Sequence, residues 1–165
     1  MSEVVAVPDW RRLLPRLEGA DPVVCAIANG GVEAAIGCSV LFWPYFVTHD
    51  GMVFLSFNGC EFDESKAENV RVWMKSCDDD RSRVEAVLNH RHICDLLWGA
   101  KPQASDEQQL FLAARLKESW SRKLQQDFPD RRFKCEVFGE EGLVPLDVEV
   151  TFYEIRAAER DQEIG

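Results

Sequence analysis

Residues 45–57 read YFVTHDGMVFLSF and decide how the chain begins its β-structure. Two runs rich in β-branched and aromatic residues, 45–48 and 52–57, flank His49, Asp50 and Gly51. An Asp-Gly pair between two such runs supplies the positive φ angles that a tight hairpin turn requires. The segment therefore predicts a β-hairpin that turns at Asp50 and Gly51.

The residues before this hairpin are predicted less sharply. The sequence Asn29-Gly30-Gly31 breaks a helical pattern, because glycine commonly ends helices. The apolar stretch 32–43 that follows is either a helix ending before Pro44 or a buried strand. Its first half, with two alanines, favours a helix, whereas Val40, Leu41 and Phe42 suit both structures.

The middle of the chain carries a helical block. Three serines are each followed three residues later by Glu or Gln, at Ser65, Ser82 and Ser105, and this pattern predicts capping boxes that open three helices. We expect the second helix to run through His92 to about Trp98. The third shows one apolar face, which consists of Leu110, Ala113, Leu116, Trp120 and Leu124.

Two further β-segments follow, at 132–138 and 147–155, with apolar residues in alternation. Two hairpins separated by helices predict an α+β fold, with one antiparallel sheet from the two hairpins and the helical block packed on one face. We expect a single domain over residues 1–165, with 157–165 frayed.

Composition narrows the function classes. The chain has 165 residues and a formal net charge of −10, which argues against a general nucleic-acid binder. We find neither a signal-peptide pattern nor an apolar stretch long enough to span a bilayer, so the sequence predicts a cytoplasmic protein that does not bind membranes. The six cysteines form no Cys-x-x-Cys pair, and we expect free thiols.

The densest group of polar chemistry lies at His90, His92, Cys94 and Asp95. On a helix, His90 and Cys94 would be neighbours one turn apart. A zinc site needs at least three protein ligands, and the sequence shows no second cluster. We therefore predict no metal, no cofactor and no catalytic residue, and keep these four residues as the site of an alternative function, a small enzyme or a ligand- or metal-binding protein.

Charge is unevenly distributed along the chain. Between Arg16 and Lys66 there is no Lys or Arg, while seven acidic residues occur. This pattern favours an acidic docking surface for a basic protein, since complementary fields speed association and reject wrong partners. The predicted surface comprises Asp50, Glu61, Asp63, Glu64, the turn of Asp78, Asp79 and Asp80, and the half-exposed aromatics Trp43 and Tyr45.

Four segments resemble an uncharacterised group of small acidic bacterial proteins: 41–47 (LFWPYFV), 84–90 (VEAVLNH), 128–133 (FPDRRF) and 150–153 (VTFY). In type, a compact acidic α+β chain without a catalytic signature is also similar to the immunity proteins that neutralise bacterial toxins. This similarity implies an inhibitor that covers the basic active site of a toxin acting on nucleic acid or nucleotides. A scaffold or adaptor is the second alternative, and the oligomeric state stays open.

Overall fold

The structure is a computed structural model that describes residues 22–57, 59, 62–96, 104–139 and 148–156, with the backbone alone for 22–29. In chain order its elements are α1 (Pro22–Phe42), β1 (Tyr45–His49), β2 (Met52–Ser56), α2 (Glu64–Ser76), α3 (Arg81–Asn89), β3 (Arg91–His92), α4 (Ile93–Leu96), α5 (Asp106–Asp127), β4 (Phe133–Gly139) and β5 (Val148–Glu154). The predicted α+β class is confirmed.

The first hairpin forms as the sequence predicts. Strands β1 and β2 are antiparallel, and the pair His49–Met52 closes a two-residue turn. Asp50 has φ 50° and Gly51 has φ 77°, the two positive values that such a turn needs.

Strand β2 is buried along its whole length and separates two apolar clusters. Val53 and Leu55 face the larger cluster, which includes Trp120 and Phe152. Met52 and Phe54 alternate with them and face the smaller cluster, which includes Val70 and Val84. A strand buried on both faces reads as a continuous apolar run, as this one does.

The stretch that the sequence left open, 32–43, is helical up to Phe42 and belongs to α1. The predicted break is a kink inside this helix, where Gly31 adopts φ 65° and ψ −174°. The end of α1 is tied to α5, because the indole Nε1 of Trp120 donates to the carbonyl of Leu41 at 2.9 Å.

The apolar face of α5 packs on β4 and β5. Ala113, Leu116, Trp120 and Leu124 are buried as predicted, and Leu110 is half-buried beside them. The helix begins with the predicted capping box, in which Ser105 and Gln108 exchange side-chain and backbone hydrogen bonds.

The other two capping boxes were predicted wrongly. Asp63 caps α2 by accepting a hydrogen bond from the backbone N–H of Lys66, and Asp80 caps α3 by accepting from that of Arg83. Aspartate is as good a cap as serine and stands two residues earlier in both cases. Ser82 is left inside the first turn of α3, where its hydroxyl donates to the carbonyl of Glu154 at 2.8 Å.

The two hairpins form two sheets and not the single sheet predicted. One contains β1 and β2, and the other has the order β3-β5-β4. Helix α3 lies between their edges: Glu85 Oε1 accepts from the N–H of Val53 at 2.7 Å, and Oε2 accepts from that of Glu154 at 2.8 Å. Arg156 adds two hydrogen bonds to the same carboxylate, at 2.8 and 3.0 Å.

One helical turn later, Asn89 makes a similar link. Its Oδ1 accepts from the N–H of Leu55 at 2.9 Å, and its Nδ2 donates to the carbonyls of Val53 and Phe152 at 2.9 and 3.2 Å. Glu85 and Asn89 are fully buried. Their side chains bind backbone N–H and C=O groups of β2 and β5 that the two strands would otherwise use to pair with each other. Two separate sheets form as a result.

Cys38, Cys77, Cys94 and Cys135 form no disulfide, in agreement with the prediction for the whole set. Cys38 and Cys94 are exposed, whereas Cys77 and Cys135 are buried. Burial raises the pKa of the Cys135 thiol to about 11. Cys25 and Cys60 lie outside the residues whose side chains are described.

We expect iodoacetamide at mildly alkaline pH to modify Cys38 and Cys94 in the folded protein and to spare Cys77 and Cys135. The thiolate is the reactive form; burial denies the reagent access to both thiols, and at Cys135 it also opposes ionisation. Peptide mass spectrometry over time measures each site, with the protein in denaturant as the control in which all thiols react. Modification of Cys135 at the rate of Cys94 would contradict the buried position.

Within the described ranges, no helix is both long enough and apolar enough to cross a membrane. Residues 157–165, which the sequence predicts to be frayed, lie outside those ranges.

Candidate functional site

The segment richest in chemistry does not continue helix α3. The helix ends at Asn89, and His90 has extended backbone angles of φ −65° and ψ 140°. Strand β3 then pairs with β5, with Arg91 opposite Val150 and His92 opposite Glu149. The predicted helix through His90 and Cys94 is therefore wrong, because the edge of β5 offers backbone partners that a longer helix could not reach.

The extended backbone brings two histidines and a carboxylate together. Alternate residues of an extended chain share one side, so His90 and His92 lie together, and Glu149 is the cross-strand neighbour of His92. The two Nε2 atoms are 2.9 Å apart. Glu149 Oε1 lies 3.5 Å from His92 Nδ1 and 4.0 Å from His90 Nε2.

Each of the two Nδ1 atoms has a hydrogen-bond acceptor nearby. His90 Nδ1 is 3.3 Å from the carbonyl oxygen of Val87, which can only accept a hydrogen bond. His92 Nδ1 faces the carboxylate of Glu149, also an acceptor. The 2.9 Å contact between the two Nε2 atoms is an N–H···N hydrogen bond when one ring carries its proton on Nε2. When both rings carry their protons on Nδ1, both Nε2 atoms offer a lone pair to a bound cation.

A cleft of about 510 Å³ lies beside the histidines. Its walls come from α2, α3, β3 and α4, and its lining residues are Asn69, Trp73, Val87, Leu88, His90, Arg91, His92 and Asp95. Arg91 Nη1 donates to the carbonyls of Leu88 and His90. Burial lowers the pKa of its guanidinium. The cleft thus combines an apolar wall with a cation and the imidazole pair.

The alternative site predicted from sequence is present only in part. His90, His92 and Asp95 line the cleft, whereas Cys94 is exposed on α4, with Sγ 3.9 Å from Asp95 Oδ1. Sequence reasoning missed Glu149. The alternation of β5 did place Glu149 on the face opposite the core, but only the register of β3 on β5 brings it to His92.

The predicted acidic surface centres on the hairpin turn. The Asp50 side chain is 69% exposed and lies 3.4 Å from His49 Nε2. The ring of Phe62 stacks on His49, with centroids 4.5 Å apart, and this contact brings the start of α2 to the turn. The side chains of Asp63 and Glu64, which follow Phe62, are 61% and 84% exposed.

Several predicted acids also have local structural roles. Asp63 and Asp80 are helix caps, and Glu64 pairs with Arg71. Asp78 and Asp79 form the tight turn before α3, with φ values of 54° and 60°. Glu61 lies outside the described residues.

Two arginines approach the same turn. The Arg81 guanidinium lies 3.3 Å from the position that a Cβ on Gly51 would occupy. Arg131 Nη2 donates to the carbonyl of Gly51 at 2.7 Å and to the Glu154 carboxylate at 2.6 Å. The charge of Arg131 is thus balanced by Glu154, whereas Arg81 places a cation beside the turn; Asp63 and Glu64 have their own cations, Lys66 and Arg71.

The aromatic part of the predicted surface is separated from the acidic part. Tyr45 begins β1 and pairs with Ser56, at the end of the hairpin away from Asp50. The four residue steps from Tyr45 to His49, which precedes Asp50, span about 13 Å along the strand. Trp43 and Tyr45 are 45% and 58% exposed, and the Lys123 ammonium lies 5.9 Å from the Trp43 ring centroid.

Comparison of the chain with models of protein families, with curated proteins and with solved structures found no match in any of the three.

Proposed function

We propose that this protein is a cytoplasmic, protein-binding inhibitor of the immunity type that docks on a basic partner through its acidic hairpin end. We define the acidic hairpin end as Asp50, Asp63 and Glu64. The observation that supports the proposal is their exposure at one end of a hairpin, within a stretch from 17 to 65 that has no Lys or Arg. The partner in this proposal is a toxin that acts on nucleic acid or nucleotides, whose active site is basic.

The backbone under the acidic hairpin end is held in place. A two-residue turn carries Asp50, and a capped helix start carries Asp63 and Glu64. Side chains on ordered backbone lose little further freedom on binding, so their charges contribute more to association. Inhibition by this surface would occur through occlusion of the partner's active site, without chemistry on the part of the inhibitor.

The double variant Asp50→Asn with Glu64→Gln should raise the Kd for the partner about tenfold at low salt, chiefly through slower association. Asparagine tolerates the positive φ of the turn, and neither residue caps a helix, so the fold should persist. The partner is first identified by co-purification from the host and from the gene neighbourhood. The Kd and the association rate are then measured with the partner immobilised, over a range of salt concentrations.

Two matched variants sharpen this test. Arg81→Gln removes a cation beside the turn and should lower the Kd by a few-fold, which is the opposite direction. Glu107→Gln with Glu118→Gln removes two acids from α5 and should leave the Kd within about twofold. A Kd that is independent of salt, or equal losses from both double variants, would refute docking through the acidic hairpin end.

A further inference from the structure

We propose that His90, His92 and Glu149 form a binding site for a divalent transition-metal ion of the zinc type. The site goes beyond the proposed inhibitor function and does not depend on it. Two imidazoles and a carboxylate make three protein ligands, the number found in zinc sites that keep one position open. The ligand atoms of these three residues lie within 4.8 Å of one another.

The spacing of the two imidazoles fits a common metal. With metal–nitrogen bonds of about 2.0–2.1 Å, two ligand nitrogens are about 3.3 Å apart in a tetrahedral site and about 2.9 Å apart in an octahedral one. The observed separation of the His90 and His92 Nε2 atoms is 2.9 Å. The two nitrogens are therefore already at octahedral ligand spacing, and a tetrahedral ion needs them to move only about 0.4 Å further apart.

The outer contacts of the rings also match a metal site. Histidine ligands usually donate their second ring N–H to a carbonyl or carboxylate, which leaves the other nitrogen to bind the metal. His90 Nδ1 lies against the Val87 carbonyl, and its Nε2 points toward His92. With the Nδ1 proton of His90 directed at this carbonyl, its Nε2 lone pair is available to a metal ion.

Glu149 completes the site from a rigid strand. Its residue in β5 pairs with His92 on one side and with Phe138 of β4 on the other. Its Oε1 is 4.0 Å from His90 Nε2, so a rotation of a side chain that is 33% exposed brings the carboxylate to ligand distance. Imidazole and carboxylate donors together suit zinc, cobalt and nickel ions.

The remaining coordination position would face the cleft that His90 and His92 line. A water or a ligand oxygen can occupy such a position in an open zinc site. Asp95 and Arg91, on the same cleft, would be its polar neighbours.

The test is a titration of chelator-treated protein with Zn²⁺ at neutral pH, with a chromophoric chelator as competitor. We expect one ion per chain in the wild type. His90→Gln, His92→Gln and Glu149→Gln should each weaken binding by about 100-fold or more, since outer contacts alone already change affinity 10–100-fold. Absorption spectra with Co²⁺ should show nitrogen and oxygen ligands and no thiolate band.

Two controls separate the site from adventitious binding. His49→Gln removes the remaining histidine of the chain, which lies at the hairpin turn, and should leave the Kd unchanged. Cys38→Ser with Cys94→Ser removes the two thiols that are exposed among the described cysteines and should also have no effect. Circular dichroism confirms that each variant folds. If a histidine variant unfolds, Glu149→Gln decides, because glutamine keeps the size of the side chain and lacks only its charge.

Wild-type affinity that persists in the histidine variants or in Glu149→Gln would overturn the site. A thiolate band in the Co²⁺ spectrum, or no stoichiometric binding by the wild type, would overturn it equally. In the last case the 2.9 Å contact is an N–H···N hydrogen bond between the two rings.

Discussion

Replacing Glu85 with alanine should reduce the free energy of unfolding by about 3–5 kcal/mol, the usual cost of breaking a buried ion pair. The change leaves the N–H groups of Val53 and Glu154 without their carboxylate acceptor and deprives Arg156 of two charged hydrogen bonds. Because domains of this kind are stable by about 5–15 kcal/mol, this loss is a large share of the total. Urea unfolding monitored by tryptophan fluorescence measures it.

Glu118→Ala provides the matched control. Glu118 also pairs with two arginines, Arg115 and Arg122, but its side chain is 41% exposed on α5. Exposed pairs contribute about 0–1 kcal/mol, so this variant should lie within that range. Similar losses for Glu85→Ala and Glu118→Ala would show that Glu85 does not link the two sheets.

Asn89→Asp should destabilise the protein by about 3 kcal/mol or more at neutral pH, although the two side chains have nearly the same size. The amide of Asn89 donates to the carbonyls of Val53 and Phe152, and a carboxylate has no hydrogen to donate. The variant instead places a buried negative charge against two carbonyl oxygens.

The pH dependence identifies the cause. Protonation restores one donor to the introduced carboxyl group, so the folded state favours its protonated form and raises its pKa. The stability difference between variant and wild type should therefore shrink as the pH falls toward about 4 and grow as it rises. Asn69→Asp, an identical change at an exposed position of α2, should stay within about 0.5 kcal/mol. A pH-independent deficit for Asn89→Asp would argue against the donor role.

Local patterns predicted the elements that local forces make. Asp50 and Gly51 gave the hairpin, because the turn depends on the φ angles of two adjacent residues. Ser105 and Gln108 gave the start of α5, because a capping box is complete within four residues. The alternation of β4 and β5 agrees with the burial of Cys135, Val150 and Phe152, whereas Thr151, on the opposite face, is buried as well.

Local patterns gave wrong predictions where a strand distant in the chain binds the same side-chain or backbone atoms. The sequence 82–85 reads as a capping box, yet Ser82 bonds to the carbonyl of Glu154, and Glu85 bonds to β2 and β5. Helical spacing joined His90 to Cys94, yet β5 holds residues 91 and 92 in a strand. In both cases the competing partner in β5 is more than fifty residues away in the chain.

The sequence by itself determined the α+β class, the first hairpin with its turn, the apolar face of α5 and the uneven distribution of charge. Each of these depends on neighbouring residues or on residue counts alone. Only the tertiary structure decided that the strands form two sheets joined through Glu85 and Asn89, and that Glu149 meets His90 and His92. The pairing of β3 with β5 and the packing of α3 against β5 set these contacts. Both arise between segments that are far apart in the chain, so no pattern of neighbouring residues predicts them.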